Sequence, residues 1–227
     1  MYTETNAKEA KKMIMGKAGQ IEALIAGFSG ASNPKTVGII CHPHPLYLGT
    51  MNNKVVTTVV RTWQQLGFAT IRFNFRGVGE SEGQYDHGIG ELQDLLSVLD
   101  WVKRESPTSE IWLAGFSFGA FIALQAAISE RAVVGLLSIA PALPLFDFTV
   151  LPMPSCPWLI IQGDADELIG SEMVNGWYQS LPKSARSARS ERCELIWVPG
   201  ASHFFHGQLL EIKHAILSFI NPSSSLP

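Results

Sequence analysis

The pentapeptide GFSFG, residues 115–119, sets a single hydroxyl, that of Ser117, among aromatic residues and glycines. It follows the apolar run IWLAG, which is typical of a strand, and precedes AFIALQAA, which is typical of a buried helix. A G-x-S-x-G pattern between a strand and a helix predicts a nucleophile elbow, in which serine stands on a strained turn. The alternative is a buried serine at a helix contact, whose hydroxyl would need a hydrogen-bonding partner.

A serine nucleophile needs a base and an acid that orients the base, and later strands are followed by both. The strand PWLIIQG is followed by Asp164 and Asp166, and the strand ELIWVPG is followed by His203. The order serine, acid, histidine along the chain is that of hydrolases with a nucleophile elbow. His206 stands at a helix start, where a capping or surface role is expected. We therefore predict His203 as the base and one of the two aspartates as the acid.

The stretch CHPHPLYLGTMNN, residues 41–53, follows the strand TVGIIC, where a second oxyanion donor is expected. Its two prolines have no N–H group, so the nearby candidates are the backbone N–H groups of His44 and Leu46. We assign His44, together with Phe118 directly after the nucleophile. Because the donor is a backbone group, replacement of His44 by alanine is expected to keep much of the activity.

Two other motifs could indicate a bound metal or a bound dinucleotide, but each departs from the pattern that such a site requires. A metal held by His42, His44 and a histidine after the last strand is disfavoured, because an i, i+2 pair on a loop is not a recurrent ligand pattern. The loop RGVGESEG, residues 76–83, resembles a dinucleotide-binding turn, but Glu82 occupies the position of the third glycine and its charge would repel phosphate. No metal and no cofactor are therefore expected.

Apolar runs with strand character alternate with helical patterns along the chain, which predicts a mostly parallel sheet with helices on both faces. The predicted strands are 11–17 and 20–28, which form a hairpin, and 36–41, 68–75, 111–116, 133–140, 157–163 and 194–200. The predicted helices are 53–67, 88–106, 118–130, 171–181 and 206–220. In such a sheet the side chains that follow the strands meet at one edge, where an active site is expected.

Length and composition favour one α/β domain over residues 1–227, with 46% hydrophobic and 16% charged residues. A net charge of −3 gives no indication of a nucleic-acid or membrane partner. Three cysteines do not suggest a disulfide framework, and the charged N-terminus lacks the apolar core of a signal peptide, so we expect a cytoplasmic protein. The basic segment 183–192 is interpreted as a solvated surface loop. The oligomeric state is left open.

The motifs together resemble those of the α/β-hydrolase superfamily, from about residue 20 to about residue 220. More narrowly, the chain is similar to small bacterial serine hydrolases related to dienelactone hydrolases, which carry HPHP where other members have His-Gly. In that family the acid ends a G-x-x-D pattern, which here runs from Gly163 to Asp166 and favours Asp166 over Asp164. Dienelactone hydrolase itself commonly uses cysteine, so Ser117 does not imply dienelactone as the substrate.

The connection at residues 141–156 is too short for the lid that covers the active site of lipases. We therefore expect an open cleft lined by Leu46, Tyr47 and Phe204, and a small acyl substrate with a short acyl chain. The resemblance implies an eight-stranded α/β-hydrolase fold and ester or thioester hydrolysis through an acyl-enzyme. An acyltransferase with the same three catalytic residues and a catalytically idle binding protein are the alternatives.

Overall fold

One eight-stranded sheet forms the centre of the computed structural model, which describes residues 8–28, 33–182 and 193–221. The strands are β1 (Ala10–Gly16), β2 (Gly19–Ala26), β3 (Thr36–Cys41), β4 (Ala69–Phe73), β5 (Glu110–Phe116), β6 (Val133–Ile139), β7 (Trp158–Gly163) and β8 (Cys193–Val198). Their order across the sheet is β1-β2-β4-β3-β5-β6-β7-β8. The β1–β2 hairpin pairs antiparallel, β2 also runs antiparallel to β4, and the remaining neighbours are parallel.

Five helices cover the sheet, and their bounds are α1 (Lys54–Gln65), α2 (Ile89–Glu105), α3 (Phe118–Ser129), α4 (Ser171–Ser180) and α5 (Leu209–Ile220). One apolar cluster joins the sheet to α2, α3 and α4, and a second joins it to α1 and α5. The helices therefore lie on both faces, as the alternating pattern predicts. Helix α3 is buried along most of its length, because its residues are almost all apolar or small.

The structure contains each strand and helix that the sequence predicts, with shifts of one to a few residues at their ends. The largest shift is at α5, which begins at Leu209 rather than at residue 206. Strand β4 ends at Phe73 rather than at residue 75. Asn74 donates its backbone N–H to the Glu22 carbonyl, and Phe75 donates its own to the His42 ring, so the chain leaves the β3–β4 ladder there. The chain is thereby turned toward the loop that follows β3.

The connection between β6 and β7, residues 140–157, contains a single 3-10 turn at Phe148–Val150 and no lid. The carboxyl ends of β3, β5, β7 and β8 are left open at one edge of the sheet. Within the described residues, no helix combines the length and apolar character needed to cross a membrane. The predictions for residues 1–7 and for the basic segment 183–192 lie outside the described residues.

Candidate active site

Ser117 stands between β5 and α3 with φ 54° and ψ −114°, a conformation that is strained for any residue with a side chain. Its N–H donates to the Ile139 carbonyl at 2.8 Å, which holds the turn against β6. The flanking positions must be glycine, because a Cβ at either one would clash with neighbouring backbone. A Cβ at Gly115 would lie 2.0 Å from the Gly119 carbonyl oxygen, and one at Gly119 would lie 2.4 Å from the Cys41 carbonyl oxygen. The elbow predicted from the sequence is therefore present.

His203 and Asp166 approach Ser117 from the loops after β8 and β7. His203 Nε2 lies 3.1 Å from Ser117 Oγ, and His203 Nδ1 lies 2.9 Å from Asp166 Oδ2. An ionised carboxylate can only accept, so the ring carries its proton on Nδ1 and presents the Nε2 lone pair to the hydroxyl. All three side chains are buried, with Ser117 9% exposed. This arrangement suits general-base activation of a serine nucleophile.

Asp166 is held by four hydrogen bonds. Oδ1 accepts the backbone N–H groups of Leu168 and Ile169, and Oδ2 accepts Gln162 Nε2 at 2.8 Å in addition to His203 Nδ1. Burial by itself raises the pKa of Asp166, but the hydrogen bonds and charge of His203 and the two backbone donors outweigh it, and the pKa lies below its ordinary value. The carboxylate is therefore ionised at neutral pH.

Asp164, the alternative acid, is directed elsewhere. Its Oδ1 accepts the backbone N–H of Gly200 at 2.5 Å, which ties the end of β7 to the turn after β8. Glu167 has a related role that the sequence did not reveal, because its Oε2 accepts the backbone N–H of His203 at 3.1 Å. The rings of Phe116 and Phe204 each lie 5.2 Å from that of His203 and restrict its rotation.

The predicted oxyanion donors lie at the start of α3 and on the loop after β3. Phe118 is the first residue of α3, so its N–H has no acceptor within the helix. Among the described residues, no group accepts the backbone N–H of His44. The N–H of Leu46, the alternative donor, is occupied because it donates to His44 Nδ1 at 3.2 Å. His44 and Phe118 therefore have the available donors.

His42 is fully buried at the start of the same loop, and both of its ring nitrogens are engaged. Nε2 accepts the Phe75 N–H at 3.0 Å, so Nδ1 carries the proton and donates to the Pro43 carbonyl at 2.6 Å. Burial lowers the pKa of His42 to about 4, and the backbone carbonyl only partly offsets this. His42 is thus a neutral anchor between the loops after β3 and β4.

A cleft of about 560 Å³ opens above Ser117. It is lined by Pro43, His44, Tyr47, Leu48, Gly49, Asn53, Ser117, Ala142, Pro144, Leu145, Leu168, Ile169, His203 and Phe204. Of the three residues predicted to line a cleft, Tyr47 and Phe204 lie in its wall and Leu46 does not. Leu46 and Tyr47 are neighbours in the 3-10 turn Pro45–Tyr47, whose successive side chains point about 120° apart. Both side chains are exposed, and only that of Tyr47 is directed along the wall of the cleft. No Asp, Glu, Lys or Arg of the described residues lines the cleft.

Solved structures of bacterial α/β serine hydrolases are similar to this chain over nearly its whole length. An α/β serine hydrolase homologue from Coxiella burnetii is 44% identical with a TM-score of 0.81, covering 96% of this chain and 98% of that chain. A lid-less α/β serine hydrolase from Xanthomonas campestris is 37% identical with a TM-score of 0.83, covering 97% of each chain. The fold and these neighbours define a lid-less serine hydrolase of the α/β-hydrolase superfamily. They do not bear on the narrower relation to dienelactone hydrolases, which stays a prediction.

Family and sequence comparisons agree with this class. Residues 7–151 match the X-Pro dipeptidyl-peptidase (S15) family, to which the chain belongs. An uncharacterised protein of Rickettsia prowazekii is 34% identical over 209 residues, covering 90% of this chain and 86% of that protein. The mitochondrial palmitoyl-protein thioesterase ABHD10 of Rattus norvegicus is 31% identical over 166 residues, which is 71% of this chain and 53% of the rat protein's length.

Proposed function

We propose that the protein hydrolyses a carboxylic ester or thioester of a small acyl substrate through an acyl-enzyme. The proposal rests on one observation, the unbroken chain of contacts from Ser117 Oγ to His203 Nε2 and from His203 Nδ1 to Asp166, at 3.1 and 2.9 Å. A strained serine whose hydroxyl meets a correctly oriented imidazole is arranged for nucleophilic attack. A protein that only binds a ligand has no use for this order of contacts, which argues against the idle alternative.

In the first half of the reaction, Ser117 Oγ attacks the acyl carbonyl carbon and its proton passes to His203 Nε2. The tetrahedral intermediate collapses, the bond to the alcohol or thiol breaks, and the leaving group takes the proton from His203. In the second half, water attacks the acyl-enzyme and gives its proton to the same nitrogen. Collapse releases the acid and restores Ser117. Asp166 stays ionised throughout and stabilises the imidazolium that forms twice.

The negative charge on the carbonyl oxygen is stabilised by the backbone N–H groups of Phe118 and His44, which have no other acceptor among the described residues. The start of α3 adds the positive end of its dipole at the same place. Neither contribution needs a metal or a cofactor.

The cleft favours an uncharged, apolar acyl group. Tyr47, Leu48, Leu145, Leu168 and Phe204 form most of its exposed walls. The thioesterase name of the rat relative is consistent with such a group. A dipeptidyl-peptidase substrate has a free cationic amine, for which an acidic partner is expected, and no carboxylate among the described residues lines the cleft. We therefore favour acyl ester or thioester hydrolysis over peptide hydrolysis.

Labelling with a fluorophosphonate, which reacts with activated serines, tests the proposal directly. Wild type should be labelled on Ser117, while Ser117→Ala should lose labelling and fall by several orders of magnitude in ester turnover. Ser97→Ala, which changes a half-buried serine of α2 whose hydroxyl donates to the Gln93 carbonyl, should behave as wild type. Absence of labelling in the folded wild type would favour the idle binding protein. Product transfer to an added alcohol or amine in preference to water would favour the acyltransferase.

A further inference from the structure

The His44 imidazole connects three parts of the active-site edge. Its Nδ1 accepts the backbone N–H of Leu46 at 3.2 Å, and its Nε2 lies 3.1 Å from the hydroxyl of Tyr85, on the loop that follows β4. Its ring packs on Phe118, the residue directly after the nucleophile, with 5.0 Å between ring centroids. It also packs on the rings of Tyr47 and Tyr85 at 4.7 and 4.9 Å.

These contacts define the protonation state of the ring. Because a backbone N–H points at Nδ1, that nitrogen is the acceptor, and in the neutral ring the proton is on Nε2 and is donated to the Tyr85 oxygen. Protonation of Nδ1 would break the bond to Leu46. Burial lowers the pKa of His44, and the neighbouring His87 lowers it further, so the neutral form is favoured. With both nitrogens engaged, the imidazole is not free to act as an acid, a base or a metal ligand.

The same residue offers its backbone N–H as an oxyanion donor, and its carbonyl accepts the N–H groups of Tyr47 and Gly49, both at 3.1 Å. The backbone of His44 is thus held on its carbonyl side by its own turn. The remaining freedom is rotation of the turn relative to α3, which would move the His44 N–H away from the Phe118 N–H. The imidazole opposes that rotation, because its ring packs on Phe118 of α3 and its Nε2 is hydrogen-bonded to Tyr85, whose ring packs on Phe118 as well, with 6.1 Å between centroids.

We propose that the His44 imidazole and the Tyr85 hydroxyl form a positioning pair, which holds the His44 backbone N–H in register with that of Phe118 for the developing oxyanion. The inference rests on the proposed function and deepens it. It replaces the expectation that the change of His44 to alanine keeps much of the activity. Tyr85 does not line the cleft, so its effect on the reaction passes through His44 rather than through contact with the substrate.

Three variants separate the contacts of the pair. Tyr85→Phe removes only the hydroxyl at Nε2. His44→Asn keeps an acceptor oxygen near the place of Nδ1 for the Leu46 N–H, but it cannot reach Tyr85. His44→Ala removes both contacts and the ring packing. We expect kcat to fall by roughly tenfold for Tyr85→Phe and by about 10² for His44→Ala, with His44→Asn between the two, because misplacement of a catalytic group by about 1 Å costs about 10².

Matched controls remove similar groups away from the cleft. Tyr178→Phe deletes a hydroxyl that donates to the Cys193 carbonyl at 3.0 Å, and His214→Ala deletes a ring that is exposed on α5. Neither should change kcat by more than about twofold. KM for a short ester should stay within about twofold in all variants of the pair, because the lost interaction is made in the transition state.

A trifluoromethyl ketone that adds to Ser117 supplies the second readout, since its hemiketal oxygen occupies the oxyanion position. Its affinity should fall in parallel with kcat across Tyr85→Phe, His44→Asn and His44→Ala. The inference is overturned if kcat is unchanged in Tyr85→Phe and His44→Ala, or if kcat falls while affinity for the ketone does not. Failure of the proposed function would instead leave the wild type unlabelled by fluorophosphonate and inactive on every ester.

Discussion

Acidification from about pH 6.5 to about pH 4 is expected to destabilise the fold through His42. This side chain is fully buried, and its two nitrogens are already used by the Phe75 N–H and the Pro43 carbonyl. Protonation would turn the accepting nitrogen into a second donor facing an N–H group. Burial accordingly lowers the pKa of His42 from its ordinary value of 6.5 to about 4.

The sign of the effect follows from where the proton binds. Between about pH 4 and pH 6.5 the unfolded chain takes up the proton and the folded chain does not, so the free energy of unfolding falls as the pH falls. The shift from 6.5 to about 4, at about 1.36 kcal/mol per pKa unit, corresponds to about 3 kcal/mol once the pH has passed below the folded pKa. Against a typical total of about 5–15 kcal/mol, this loss is large.

Urea unfolding of wild type and His42→Gln from about pH 4 to about pH 7.5 measures the effect. The glutamine amide does not titrate, so the variant should be less stable at neutral pH but should lose about 3 kcal/mol less on acidification. His214→Gln, on the exposed face of α5, should keep the wild-type slope. The carboxylates with lowered pKa values, Glu22, Asp147 and Asp166, are present in all three proteins, and the comparison cancels their contribution.

If His42→Gln does not fold, a pH titration of His42 in the wild-type protein tests the same prediction. In the histidine NMR spectrum of the wild type, the resonances of His42 should not shift until the pH falls below about 5. Equal slopes for wild type and the variant, or a His42 resonance that titrates near 6.5, would refute the reasoning, because the buried ring would then be accepting a proton at little cost.

Three further predictions follow from the site. Asp166→Asn should lower kcat by about 10⁴ in steady-state ester hydrolysis, by removing the ionised partner of His203 Nδ1, whereas Asp164→Asn should cost far less; the reverse order would identify the wrong acid. Gly119→Ala should destabilise the fold and lower kcat, since its Cβ would lie 2.4 Å from the Cys41 carbonyl oxygen; urea unfolding that matches wild type would contradict this. For p-nitrophenyl esters, kcat/KM should rise by up to about fourfold per methylene, to roughly six carbons, and then level off without activation by micelles, because the open cleft must also hold the leaving group. A continued rise to about twelve carbons would show that protein covers a longer chain.

Much of the fold could be predicted from local signals in the sequence. Short apolar runs and helical periodicities are set by neighbouring residues, so they indicated the strands and α-helices of the described residues, and the flanking elements identified GFSFG as an elbow. Parallel strands open their carboxyl ends at one edge of the sheet, and this topology alone predicts that Ser117, His203 and the two aspartates lie near one another.

The tertiary structure decided what depends on contacts between distant segments. Asp164 and Asp166 follow the same strand. The position of the loop after β8 decides that Asp166 contacts the His203 ring, while Asp164 accepts the backbone N–H of Gly200. Glu167 and the Gln162 amide support that loop and that carboxylate without any motif to mark them.

The loop after β3 shows the same limit of local signals. Leu46 and Tyr47 are adjacent in one 3-10 turn and both are exposed, but only Tyr47 lines the cleft, because successive side chains of such a turn point in different directions. His44 and Tyr85 are 41 positions apart, and their contact exists only because the loops after β3 and β4 pack together at the sheet edge. Residue type and spacing thus determined which chemistry is available, and packing between segments far apart in the chain decided which side chains carry it.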